Sequence, residues 1–163
     1  MVQTFSSHAI APAAVLRGEG AWAEAFPKIR ALCSKPLVLG RSSSTSELRR
    51  QLFADLAGTG LTPTTAQLQF DCCEQDLARL KLEANGCDAV IAAGGGKVLD
   101  AGKLLAHRLS LPCITVPLSA ATCAGWTALS NIYSPEGAFE GDVSLSRCPE
   151  LLVFDHGLVR QAP

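Results

Sequence analysis

Charge is scarce and balanced in this 163-residue sequence. Asp, Glu, Lys and Arg make up 18%, and 14 basic against 15 acidic residues leave a formal charge of −1. A nucleic-acid binder shows a basic face, so no nucleic-acid partner is expected, and the balance argues against an acidic disordered tail as well. Long apolar runs are also missing. The run over residues 89–96 falls far short of the ~20 residues that a membrane span needs, so no membrane partner is expected. The opening stretch MVQTFSSHAIAPAAVLRG has no basic start and only a weak apolar segment, which argues against a signal peptide. No CxxC occurs among the seven cysteines, so a structural zinc site has no paired spacing to rest on. Several cysteines lie in apolar runs (PCITV, NGCDAVIAA), and buried free thiols in a reducing cytoplasm are expected. His8, His107 and His156 are scattered, with no HExxH or H-x3-H. No G-x-S-x-G elbow is present either. Neither a metal site nor a catalytic residue is assigned.

What is present is apolar and alternating. Mean hydropathy is +0.23, and a domain near 150 residues buries roughly 70% of its unfolded surface. Either the core is large, or an apolar face meets a second copy or a further domain. Strand patterns fall at residues 8–16, 36–40, 66–70, 88–93 and 113–116, with helical patterns at 21–33, 44–57, 73–85 and 97–109 between them. In the helix over 73–85, Leu77, Leu80 and Leu82 are expected to face the core, with Gly86 as C-cap. Alternating short strands and helices predict an α/β domain with a parallel sheet. A hairpin is predicted over 127–134 and 138–145 around Pro135-Glu136-Gly137. A last strand follows at 151–154, with no closing helix after it.

The chemistry-bearing motif is Gly94-Gly95-Gly96-Lys97. It follows the strongest strand and opens a helix, which is where α/β domains bind phosphate through free N–H groups. Lys97 in a first turn opposes the helix dipole by about 0.3–1 kcal/mol, and a phosphate beside it reverses that penalty. The motif is not a P-loop, because Ile91 stands where Gly is required and Val98 where Ser or Thr would hold magnesium. Asp100 and Lys103 lie one turn apart with His107 continuing the stripe. Asp100 either reaches the nicotinamide end of a cofactor or forms a surface ion pair. A rival G-x-G-x-x-A occurs at Gly18-Glu19-Gly20-Ala21-Trp22-Ala23, but Pro12 makes the preceding segment a poor central strand. A simple turn into the first helix is preferred there.

GGGKVLDAGK at 94–103 and LPCITVPLSAATCAGWTALSNIYSPEGAFEG at 111–141 resemble the glycerol dehydrogenase branch of the iron-containing alcohol dehydrogenases. The likeness extends to Gly18 and Gly20, to PLVLG at 36–40 and to ELLVFDHGLVRQAP at 150–163. It implies a Rossmann-like dinucleotide-binding domain of the fold shared with dehydroquinate synthase. Residues 1–163 then correspond to the N-terminal NAD(P)-binding domain. The family's helical C-terminal domain, with an Asp and two His that hold Zn²⁺ or Fe²⁺, is absent from these residues. By the same resemblance Gly94, Gly95, Gly96 and Lys97 form the pyrophosphate loop and Asp100 lies near the nicotinamide. Thr127, Leu129 and Tyr133 line the cofactor cleft. Leu118 and Ala121 stand where the family has cofactor-touching hydroxyls, and Cys123 stands where an Asp contacts the polyol, which weakens the case for glycerol itself. The acid that selects NAD after the second strand is replaced by Arg41. A guanidinium at that strand end can pair with a 2′-phosphate, so a modest preference for NADP is expected.

The reading that follows is the nucleotide-binding half of a metal-dependent, NAD(P)-linked polyol or alcohol dehydrogenase, inactive alone and cytoplasmic. Two alternatives stand beside it. One is a non-catalytic dinucleotide-binding or assembly module. The other is a different reaction on the same fold, such as a phosphorylated-polyol dehydrogenase or a synthase-like lyase.

Overall fold

The computed structural model describes residues 9–162. In chain order the elements are β1 (Ala14–Gly18), α1 (Ala21–Leu32), β2 (Pro36–Gly40), α2 (Ser46–Gly58), β3 (Thr64–Gln67), α3 (Glu74–Glu83), β4 (Ala89–Gly94), α4 (Gly96–Leu109) and β5 (Cys113–Pro117). A hairpin of β6 (Leu129–Tyr133) and β7 (Phe139–Ser144) follows, then β8 (Leu151–Asp155) and α5 (His156–Gln161). Six strands form one sheet in the order β1-β8-β5-β4-β2-β3, and every pair in it is parallel. The hairpin is a separate antiparallel pair with a bulge at Ile132/Tyr133.

Burial on both faces explains why the central strands are apolar without alternation. In β4, Val90 and Ala92 pack with Leu77, Leu80, Leu99 and Leu104, so α3 and α4 cover that face. Ala89, Ile91 and Ala93 pack on the other side with Ile29, Leu52 and Leu56 of α1 and α2. Gly102 lets α4 ride close on β4, since a Cβ there would overlap that of Ala92.

The sheet order sets the position of the site. β2 is followed by α2 on one face, and its neighbour β4 by α4 on the opposite face. Where adjacent parallel strands send their connections to opposite faces, a crevice opens at their C-terminal ends, and α/β proteins bind ligands there.

Several expectations change in detail. The first strand is Ala14–Gly18, an edge strand paired only with β8, and residue 8 lies outside the described residues. β3 is Thr64–Gln67 rather than 66–70. Asp76 explains the shift, because its Oδ2 accepts from the N–H groups of Gln69 (2.9 Å) and Phe70 (2.8 Å) and turns the chain there. Leu82 is 77% exposed, so only Leu77 and Leu80 of the expected trio face the core. Gly86 does adopt φ +82°, two residues beyond the capping Ala84. A short closing helix exists after all. The Asp155 carboxylate accepts from Gly157 N (2.7 Å) and Leu158 N (3.1 Å) and caps α5.

Candidate dinucleotide site

The crevice between β2 and β4 holds a cleft with two lobes. One lobe, of about 290 Å³, is bounded by the loop after β2 (Arg41, Ser42, Ser44, Thr45), by Gly94 to Val98, and by Leu118 and Ser119 after β5. The other, of about 450 Å³, runs from Gly96, Lys97 and Asp100 past Ala121, Thr122 and Cys123 to Thr127, Leu129, Asn131 and Tyr133. Gly96, Lys97 and Ser119 border both. All the cofactor residues singled out in the sequence, and Cys123, therefore line one cleft.

The three glycines differ in what requires them. A Cβ on Gly94 would meet Val98 Cβ at 2.9 Å, and one on Gly96 would meet Thr122 Oγ1 at 3.0 Å. Gly95 has nothing within 4 Å and an ordinary extended backbone, φ −82° and ψ −175°. Neither sterics nor conformation demands glycine there. Gly95 is also the N-cap of α4, and no side chain caps that end. The first-turn N–H groups thus face the cleft with the positive end of the helix dipole. The rival Gly18/Gly20 turn is different, because Trp22 N at the start of α1 donates to Asp155 Oδ2 at 2.9 Å. The protein's own carboxylate fills that helix end.

Arg41 and Lys97 both reach Asp71, a residue that no local spacing singled out. Arg41 Nη1 lies 2.5 Å from Asp71 Oδ1, and Lys97 Nζ donates to Oδ2. Lys97 also sits 4.9 Å from the centre of the Tyr133 ring, a cation–π distance. The expected NADP preference rested on a free guanidinium at position 41, and this one is engaged. Arg49 shapes the same loop. It is buried against Gly40, where a Cβ would overlap its side chain, and donates to Ser42 O (2.8 Å) and to Thr45 Oγ1.

Asp100 and Lys103 form a pair at 3.1 Å, but not on the surface: Asp100 is 6% exposed and Lys103 2%. The ammonium donates to Thr127 Oγ1 (3.0 Å), Thr127 O (3.2 Å) and Leu129 O. Ser130 Oγ adds a hydrogen bond to Asp100 O at 2.9 Å. Burial pushes the Asp100 carboxyl up, against the pull of Lys103 and of the Asn131 backbone. Lys103 thus fastens the hairpin over α4 and sets the wall of the second lobe. His107 continues the stripe one turn on from Lys103, outside the cleft, with Nδ1 3.3 Å from Ser146 Oγ.

All seven cysteines are free; five are buried, Cys87 is half-buried, and Cys123 is exposed in the second lobe, against the expectation of buried thiols. Among the described residues no three His, Cys, Asp or Glu side chains converge on a point. These residues do not fit a Zn²⁺ or Fe²⁺ site by themselves. No described helix is long and apolar enough to cross a membrane.

The model of the iron-containing alcohol dehydrogenase family matches residues 12–156. The chain belongs to that family. An uncharacterized oxidoreductase of Synechocystis is 44% identical over 99% of this chain and 42% of its own length. A glycerol dehydrogenase of Escherichia coli is 36% identical over 77% of this chain and 33% of its own. Among solved structures, the glycerol dehydrogenase of Schizosaccharomyces pombe superposes with a TM-score of 0.85 over 99% of this chain and 41% of that one. Its 23% identity shows the shared fold. The chain thus spans between one third and about two fifths of the length of these proteins.

Proposed function

We propose that residues 1–163 are the dinucleotide-binding domain of an NAD(P)-linked dehydrogenase that oxidises an alcohol or polyol. The observation that carries this reading is Gly95, an uncapped helix start at the β2/β4 crevice with open space where a side chain would fit. The pyrophosphate sits against the N–H groups of Gly95, Gly96 and Lys97. The adenosine end occupies the lobe beside Arg41 to Thr45, and the nicotinamide end the lobe beside Asp100, Thr127 and Tyr133. Cys123 faces the substrate end. Residues of this chain bind and orient the cofactor, and the metal chemistry of the family belongs to residues outside this set. In this reading the apolar balance of the sequence reflects a face covered by a further domain or by a second copy.

Titrating NAD⁺ and NADP⁺ into the purified chain by calorimetry, with melting temperature followed in parallel, tests the reading. Saturable one-site binding with a rise in melting temperature is expected. No binding of either dinucleotide at millimolar concentration refutes it.

A further inference from the structure

The two cationic side chains lining the cleft, Arg41 and Lys97, end on the same buried acid. Their side chains are 42% and 43% exposed, whereas that of Asp71 is 6% exposed. Asp71 borders neither lobe and acts on the cleft only through them. Its position is built, not incidental. Asp76 turns residues 69 and 70 beneath the cleft, Cys72 O accepts from Tyr133 N at 2.9 Å, and the hairpin turn brings Gly137 over Oδ2. Arg41 meets Oδ1 without the alignment of a hydrogen bond, and that buried oxygen has no hydrogen-bond partner. The contact is therefore an electrostatic tether that holds the guanidinium charge beside the carboxylate rather than a directed hydrogen bond.

We propose that Asp71 is the specificity-determining positioning residue of this site. By holding Arg41 and Lys97 on one carboxylate it limits the pull on phosphate and suppresses selection of a 2′-phosphate. The proposal rests on the dinucleotide reading above. Two cations and one anion leave a local charge of +1, and neutralising the acid raises it to +2. At about 7 Å and an effective dielectric near 40, one extra unit charge changes the affinity for a phosphate anion roughly fivefold to tenfold. A released guanidinium adds a charge-assisted contact to a 2′-phosphate, roughly tenfold or more in the ratio of NADP⁺ to NAD⁺. Asp71 thus accounts for how an arginine can occupy the ribose-facing strand end without committing the site to NADP.

The test titrates inorganic pyrophosphate, NAD⁺ and NADP⁺ into the wild-type chain, Asp71→Asn and Asp71→Glu at low salt. The expected wild-type affinities for the two dinucleotides lie within about threefold, because the clamp offsets Arg41. Asp71→Asn is expected to bind pyrophosphate about fivefold more tightly and to favour NADP⁺ about tenfold, an effect that weakens with added salt. Asp71→Glu restores the charge and returns the ratio towards wild type. A folded Asp71→Asn with unchanged ratio and unchanged pyrophosphate affinity overturns the proposal. So does a wild-type preference for NADP⁺ above about tenfold, which needs no variant to fold. If pyrophosphate binds and responds to Asp71→Asn while neither dinucleotide binds, the dinucleotide reading falls and the specificity role of Asp71 falls with it, leaving only its restraint on phosphate binding. If the wild type binds none of the three, both fall.

Discussion

Replacing Gly95 by valine separates the site from the fold. The backbone at position 95 is extended, φ −82° and ψ −175°, so a branched residue adopts it without strain. The added Cβ finds nothing within 4 Å. The folded chain loses only the N-cap preference of glycine over valine, about 1 kcal/mol. In the cleft the outcome differs, because the side chain occupies the space through which a phosphate approaches the helix. A hydrogen bond to a charged group contributes about 1.5–3 kcal/mol. Losing two such bonds weakens NAD⁺ binding by more than roughly 100-fold. Calorimetric titration reads the affinity, and urea unfolding shows that the variant is folded. Gly94→Val is the contrast: its Cβ would press on Val98 at 2.9 Å, so it should lose stability first. A folded Gly95→Val that binds NAD⁺ within threefold of wild type would falsify this placement of the anion.

Lys103→Met leaves Asp100 buried without its partner and frees three acceptors on Thr127 and Leu129. It should cost about 3–5 kcal/mol in urea unfolding, and a loss below about 1 kcal/mol would contradict the fastening role assigned to Lys103. Iodoacetamide should label Cys123 first of the seven thiols, and saturating dinucleotide should slow that labelling several-fold; mass spectrometry that finds equal rates with and without ligand would remove Cys123 from the cofactor cleft. Burial pushes the Cys33, Cys72 and Cys113 thiols up to about 12 from an ordinary value of 9.0. The folded state therefore holds protons that the unfolded state has released, and stability present below pH 9 is lost as pH rises towards 12. Melting temperatures that stay flat between pH 8.5 and 11 would show that these thiols are not held in the core as described.

The fold was legible where burial is uniform. β2, β4 and β5 are buried at every position, so their apolar runs needed no phase to be recognised. β3 was displaced because its pattern is mostly exposed, T-T-A-Q with only Ala66 buried, while the apolar Leu68 follows its end and Phe70 lies in the turn that Asp76 builds. Leu82 misled in the opposite way. It shares the helical period of Leu77 and Leu80 loosely, and two residues beyond Leu80 its side chain points to solvent. α5 was missed because its cap, Asp155, is also the last residue of β8, so one residue serves as strand end and helix start.

The loop proposed to bind the anion was legible in the sequence, and what governs that loop was not. Gly94 to Lys97 are contiguous, and their meaning follows from a strand before and a helix after. Asp71 is separated from Lys97 by 26 positions and Lys103 from its hairpin acceptors by 24 to 26, so rules of helical neighbourhood cannot connect them. Asp100 and Lys103 show the limit most directly. Their spacing of three made a pair one of the two readings of Asp100, since that distance is fixed by the helix itself. Whether the pair is a weak surface contact or a buried one is set by what lies over it. What lies over it is β6, which arrives after another strand and a loop and brings Ser130 to the Asp100 carbonyl. A charge pair seen in sequence therefore has a known geometry and an unknown dielectric. Its energy, and its part in shaping the cofactor cleft, come from the segment that covers it.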